Sequence, residues 1–580
     1  MRAVFAFLCF CVFIAGCDPY KRSNRITKIP FHLCSLLKAR HVFIFFIWIC
    51  GITNINAQAE WITQMGGAEG DIGNCTAADV SGHIYTIGTF SGTSAFGTYS
   101  IASMGKGDIF ITQANASNGN INWVRQIGGQ FEDNGTAVTC DVVGNVYFTG
   151  RFSGTVIFGT FTLTSLGGSD SFIAKLDQVT GAIIWVKKMG GTGYDGGLSV
   201  TSDPLGNVYT SGYFQGVASF GTVTVTPVGT NFNIFLACTD GASGNVLWAK
   251  GYGSAGYSFG TSVSCDVLGN VYMTGYFEND VVFGTYTLSS IQYQDVFVSK
   301  HDGSNGNVTW AYSAGGDGND SGNGIVAGND GYIYTTGKFE GNCAFGTTTL
   351  TSAGSADLYV SKRDALTGAV AWVKGFGAGG YEQANAITQD ANGTIFVTGQ
   401  FSGFVTFGAT ILSSSGSADI FIAEIEPGTG NVPWAIGMGG SNVDSGYGIA
   451  IGPANALYCT GSFYSAANFP GFDLTAKGIT DVFIMKLNSA TVGMNENERP
   501  HVSFRLIPVP FHETLTVEMN RMDSKSYTLF LTNLSGQVLM EFISDQARNV
   551  LDLKFLTTGI YFVTIREESG VRSIKRIVKQ

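Results

Sequence analysis

The sequence predicts an all-β protein: a seven-bladed β-propeller of four-stranded antiparallel blades, closed by its N-terminal strand, followed by a small β-sandwich. Three observations carry that reading. Glycine supplies 80 of 580 residues, aromatics 13% and charged residues only 13%, the profile of a chain with many tight turns. Every tryptophan but Trp48 falls in one series, Trp61, Trp123, Trp185, Trp248, Trp310, Trp372 and Trp434, at intervals of 62, 62, 63, 62, 62 and 62 residues. No window sustains the 3.6-residue apolar period of a helix. Disorder is excluded by the low charge, and collagen by 11 prolines and glycines that do not recur every third residue.

Other positions keep the same register. A glycine follows each tryptophan by five residues (Gly66, Gly128, Gly190, Gly253, Gly315, Gly377, Gly439). An aromatic follows by 24, from Tyr85 to Tyr458, and phenylalanines by 29 and by 35, beginning with Phe90 and Phe96. The second repeat shows the predicted strands. GTAVTCD (135–141) is short and rich in small residues, and the turn DVVG (141–144) leads into NVYFTG (145–150). FSGTVIFGTFTLTS (152–165) reads as a short β excursion pinned to the blade by its two phenylalanines. DSFIAKLD (170–177) and AIIWVKKMGG (182–191) form the outer hairpin. One such sheet leaves both apolar faces wet, so neighbours must stack, with the tryptophans and phenylalanines as filling.

The two ends of the repeat region are complementary. It begins with the Trp61 strand, which lacks a preceding Asp-x-Phe strand, and finishes on DVFIMKL (481–487), which lacks a tryptophan strand after it. The 60–66 strand is therefore expected to join the sheet of residues 446–487 and remove both edges.

Four segments follow: an export region over 1–59, the propeller over 60–490, a linker over 491–503 and a β-sandwich over 504–580. Lys38 and Arg40 precede the apolar run Val42–Ile52 and the small-residue site Ala57-Gln58-Ala59, a signal peptide cleaved after Ala59. The run is shorter than the roughly 20 residues a membrane span needs, so the mature chain has no predicted span. Upstream, Ile14-Ala15-Gly16-Cys17 resembles the lipobox of bacterial lipoproteins, the alternative anchor. With +6 on residues 1–59 and +2 on residues 500–580, the total charge of −11 leaves −19 on residues 60–499. A body that acidic repels phosphate backbones and excludes nucleic acid as a partner.

The repeat core "GNVYxTGxF…FG…DxFIAKLD…TG…W" resembles the SBBP type of bacterial β-propeller repeat, over roughly residues 60–490. That resemblance implies an extracellular propeller and does not imply an enzyme. The tail resembles the C-terminal sorting domain of the type IX secretion system in Pro508-Val509-Pro510-Phe511, Asn533-Leu534-Ser535-Gly536, Gly559-Ile560-Tyr561 and the basic end Lys575-Arg576-Ile577-Val578-Lys579. It implies export through that machinery and a secreted or outer-surface location in a Gram-negative bacterium.

The chemistry-bearing residues are few. Ten residues after each tryptophan stands an acid (Asp71, Asp133, Asp195, Asp320, Glu382, Asp444), with Ser258 breaking the series. These positions link one blade to the next and are expected to ring a channel mouth. Such a ring can hold a hard cation, calcium being the one considered, or meet sugar hydroxyls; the favoured alternative is that each caps its loop amides. A second column (Asp79, Asp141, Asp203, Asp266, Asp390) reads as turn chemistry. The six cysteines after residue 60 are scattered, and His83 and His301 lie in different repeats, so no catalytic, cofactor or metal residue is assigned. The expected function is a monomeric, non-catalytic binding or scaffold module for an extracellular glycan or protein. The competing reading is a quinoprotein-like enzyme, because "DQVTGAIIW" and "DALTGAVAW" resemble the tryptophan-docking repeat of that family.

Overall fold

The computed structural model describes residues 58–487, 504–507, 511–519, 526–533, 538–567 and 572–579. The export region up to residue 57, Cys17 included, and the linker 491–503 lie outside the described residues. Among the described residues the structure is all β, with one 3-10 turn at Pro453–Asn455.

In the second repeat Asn134–Cys140, Val146–Phe152, Asp170–Leu176 and Ile183–Gly191 pair antiparallel in that order. Asp141 opens the first turn by accepting the amides of Val143 and Asn145, and Gly144 closes it at a φ of 91° that a side chain would strain. The same four-strand order recurs along the chain. In the last copy Ser445–Ile451, Leu457–Phe469 and Phe472–Leu487 take Ala59–Gly67 as their outermost strand, with Trp61 opposite Lys486 and Met65 opposite Val482. First strands pack each against the next, and Ser445–Ile451 packs against Ile72–Ala78. This is a β-propeller arrangement.

The repeated residues fill the spaces between sheets. The phenylalanines 29 and 35 residues after each tryptophan are all at most 5% exposed. Each such ring contributes about 2–3 kcal/mol of gross burial energy, offset by chain entropy. The indoles dock forward onto the following sheet. Trp61, Trp123, Trp185, Trp248 and Trp372 donate to the carbonyls of Ala116, Gln178, Gly241, Gly303 and Pro427 at 2.9–3.3 Å. The glycine in that turn clears the ring: a Cβ on Gly119 would lie 2.4 Å from Trp61, and one on Gly181 would lie 2.9 Å from Trp123. The Thr-Gly…Trp signature is therefore a packing device.

The excursion does more than pin to its own sheet. Phe158 does pack edge-on against Phe172 of its own repeat at 4.9 Å. Its hairpin, Thr155–Phe158 with Phe161–Thr164, also pairs with the outer strand of the preceding repeat, Val156 opposite Gly129 and Ile157 opposite Gly128. The hairpins at Thr93, Ala218, Asn342 and Ala467 do the same. Each such outer edge is thereby covered instead of left as a template for aggregation.

The C-terminal part forms two sheets, Phe504–Ile507, Thr514–Met519 and Arg548–Asp552 in one, and Val538–Ser544, Tyr527–Asn533, Gly559–Glu567 and Arg572–Lys579 in the other. Their core includes Phe511, Val517, Leu529, Leu531, Val563 and Ile577. Lys579 is buried, and its ammonium donates to the carbonyls of Leu553 and Leu556 at 2.7 Å each.

Candidate functional site

The two acidic columns stand at opposite ends of the first strand wherever a repeat carries both, as Asp71 and Asp79 flank Ile72–Ala78. In the turn column Oδ2 of Asp79, Asp141, Asp203 and Asp266 accepts the hydroxyl of the tyrosine six residues on, Tyr85, Tyr147, Tyr209 and Tyr272, at 2.8–3.4 Å. Burial raises these four phenols above their ordinary range. The aromatic column is thus a brace for the turn, which its position in the repeat did not reveal.

The other column, Asp71, Asp133, Asp195, Asp320, Glu382 and Asp444, is at most 1% exposed and is not displayed as an open ring. Four of these side chains tie the preceding sheet to their own, Asp71 by accepting the amides of Gly67 and Ser91. Asp133 accepts the amide of Gly129 on one side and of Ser153 on the other, both at 2.9 Å. Asp195 does so with Gly191 and Gln215, and Asp444 with Gly440 and Tyr464. Glu382 holds the amide of Ala378, and Asp320 that of Glu340. Burial pushes Asp71 and Asp195 up to about 6, and Asp133, Asp320 and Glu382 up to about 7; Asp444 rises for the same reason. For Asp133, Asp195 and Asp444 the two amides belong to two sheets, a wider span than a local loop cap.

Ser258 sits in the same place with a different environment. Around it the sequence puts Phe232 and Phe259 where no other repeat has a ring, beside Tyr257, whose position is also tyrosine at Tyr194 and Tyr381. Phe232 packs on Tyr213 (5.1 Å), Phe259 (5.4 Å) and Tyr257 (5.8 Å), and Phe259 stacks on Tyr276 at 5.1 Å and 30°. Tyr257 is 45% exposed, and Phe232, Phe259 and Tyr276 are half-buried. Polar groups rim this cluster: Arg151 Nη1 donates to Tyr213 Oη at 3.4 Å and pairs with Glu132 at 3.2 Å, and Gln294 donates to Glu278. The signal was present in the sequence as Phe232, Tyr257 and Phe259 within one joint, and it was missed.

The remaining reactive side chains are spent or suppressed. His301 is fully buried between Ser299 Oγ and the Tyr252 hydroxyl, and burial pulls it down to about 4, so it is neutral. His83 pairs with Asp79 at 2.9 Å. The six described cysteines are free, and burial raises every thiol. Among the described residues no three His, Cys, Asp or Glu side chains group as a metal site. A cavity of about 540 Å³ lies at the turn end, lined by Val267, Leu268, Val326, Ala327, Ala391 and Phe562 among others.

Solved structures similar to this chain include quinohemoprotein alcohol dehydrogenase from Comamonas testosteroni, 11% identical over 79% of both chains with a TM-score of 0.37. They also include BamB from Moraxella catarrhalis, 12% identical over 74% of this chain and 99% of that one with a TM-score of 0.30. A third is the β-propeller domain of the trilobed protease from Pyrococcus furiosus, 9% identical over 76% and 99% with a TM-score of 0.35. These are loose likenesses of fold and extend to no side chain of a site. No curated protein matches the chain. Residues 505–580 match the secretion system C-terminal sorting domain family, so the chain carries a type IX sorting domain and belongs outside the cell, secreted or on the outer surface of a Gram-negative bacterium.

Proposed function

We propose that residues 60–490 form a seven-bladed propeller, closed by the N-terminal strand, that serves outside the cell as a non-catalytic binding module for a glycan. The register of Trp61 to Met65 against Val482 to Lys486 supports the closure. The observation that carries the ligand class is the aromatic cluster of Tyr213, Phe232, Tyr257, Phe259 and Tyr276. A sugar ring offers an apolar C–H face and a rim of hydroxyls; half-buried rings meet the first, and donors and acceptors such as Arg151, Glu132 and Gln294 meet the second. Tyr213, Phe259 and Tyr276 stand in strands and Phe232 and Tyr257 beside them, so rigid sheets hold the cluster in place at little cost in ordering. Residues 504–580 deliver the module by engaging the type IX machinery, and no further partner is invoked.

A quinoprotein-like enzyme is the competing reading, and the Thr-Gly…Trp motif does not separate the two, since its glycine makes room for the indole of the preceding repeat. The test is a glycan array with the full chain, followed by calorimetry on any hit. Tyr257→Ala is expected to weaken binding at least tenfold while leaving the fold intact, because the ring is 45% exposed. Undiminished binding by Tyr257→Ala and Phe259→Ala, or retention of a quinone chromophore on purification with calcium, would sink the proposal.

A further inference from the structure

At six joints between sheets the linking acid meets a second buried acid, the Asp of the Asp-x-aromatic strand. The strand acid lies over the glycine five residues after the tryptophan at all six, and at Gly190 and Gly439 oxygens of both acids converge there. A Cβ on Gly190 would lie 2.7 Å from both Asp170 Oδ1 and Asp195 Oδ2, and one on Gly439 would lie 2.8 Å from both Asp419 Oδ1 and Asp444 Oδ2. The strand acid spends one oxygen on the amide four residues before it: Asp108 on Met104, Asp170 on Leu166, Asp295 on Ile291, Asp419 on Ser415. At five joints at least one buried oxygen is left without a hydrogen: Asp108 Oδ1, Asp170 Oδ1, Asp295 Oδ1 with Asp320 Oδ2, Glu382 Oε1 and Asp419 Oδ1. Two facing carboxylates with no hydrogen between them, out of water, repel.

The third joint supplies an internal control. It is the one that lacks the linking acid, with Ser258, and it also lacks the strand acid, with Asn233. Both members change together, to groups that carry hydrogens of their own. The sixth pair, Asp71 with Asp481, differs otherwise: Gln64 reaches Asp481 Oδ2 at 2.6 Å and Ser94 reaches Asp71 Oδ1 at 2.9 Å, so every oxygen is met.

We propose that the pairs Asp108–Asp133, Asp170–Asp195, Asp295–Asp320, Asp357–Glu382 and Asp419–Asp444 each hold one proton between their carboxyl groups, making the joints between sheets acid-stabilised clamps. A proton fits where a cation does not. A hard cation asks for about six to eight oxygens, whereas the linking acids already face inward-pointing amides. Other charges near the pairs are few. Lys188 lies 3.6 Å from Asp170; Gln126 donates to Asp108, and Glu132 stands near Asp133. Glu340 and Cys343 stand near Asp320. Asp357, Glu382, Asp419 and Asp444 face amides and each other. Burial raises both members of every pair. A carboxyl raised on folding contributes stability that is complete below the ordinary carboxylate range and is lost as pH climbs through its folded value. Unfolding therefore releases protons between about pH 4 and 7.

The test is denaturant unfolding of the full chain in steps from about pH 4.5 to 8, with infrared spectra of the carboxyl band. The wild type is expected to be more resistant in acid and to show a protonated carboxyl band that resists deuterium exchange near pH 6. Asp170→Asn, which copies Asn233, is expected to fold and to release up to one proton fewer on unfolding. Equal proton release by wild type and Asp170→Asn overturns the proposal. So does a midpoint at pH 8 that calcium raises and chelator lowers in the wild type but not in Asp170→Asn, the mark of a cation in the pair. Should Asp170→Asn fail to fold, the wild-type band decides: its absence near pH 6 overturns the proposal, and its presence supports it.

Discussion

Six joints between neighbouring sheets are built on two buried carboxyl groups, while the third is built on Asn233, Ser258 and a cluster of rings. At four of the six, Asp71, Asp133, Asp195 and Asp444 perform one structural task, holding amides of two sheets at once. The third joint does without it. The Ser258 hydroxyl pairs with Ser254 Oγ at 3.1 Å, and apolar packing of Phe232 and Phe259 takes over. A repeat protein can thus exchange polar ties for packing at one position and leave its period intact, and the exchanged position becomes the one whose surface differs from the rest.

That contrast can be broken or sharpened by substitution. The largest effect is expected for Asp133→Ala, which strands two buried amides and costs about 2–4 kcal/mol in denaturant unfolding. Ser258→Ala, at the same place in the third joint, is expected to cost less than about 1 kcal/mol. Equal losses would mean the two kinds of joint are not different. Next, Asn233→Asp combined with Ser258→Asp installs a sixth unmet carboxyl pair. The variant is expected to lose stability at pH 8 and regain much of it near pH 5, with the steepest pH dependence of any joint variant. A smaller effect separates the indoles. Trp185→Phe gives up the bond to Gly241 and should cost about 1 kcal/mol beyond lost packing. Trp310 has an unpartnered indole nitrogen, so Trp310→Phe should cost only the packing. The smallest is Tyr257→Phe, expected within about 0.5 kcal/mol of wild type because the hydroxyl lies at a half-exposed rim.

Much of this architecture is legible from periodicity alone. The 62-residue spacing of the tryptophans, the Asp-to-Gly turn at 141–144 and the complementary ends at Trp61 and 481–487 all rest on short-range pattern, which a sequence displays directly. What stays hidden is pairing between repeats. Nothing local in FSGTVIFGTFTLTS tells that Val156 will lie opposite Gly129 of the preceding sheet. Gly128 could be seen as fixed, but the reason, the Asp108 carboxyl 2.1 Å from where a Cβ would stand, comes from a residue 20 positions away. The acidic column was visible and its burial was not, because an Asp in a loop reads as exposed until its amide partners are known. One signal of the pairing was present: Asn233 and Ser258 depart from the pattern together.

Closure of the ring by the N-terminal strand is the claim on which the joints, the edges and the seven-sheet reading depend. Hydrogen–deuterium exchange of the full chain tests it directly. The amides of Trp61 to Met65 are expected to exchange as slowly as those of Val482 to Lys486, since the two segments share one ladder. Exchange of Trp61 to Met65 at the rate of free chain, beside a protected 482–486, would contradict it.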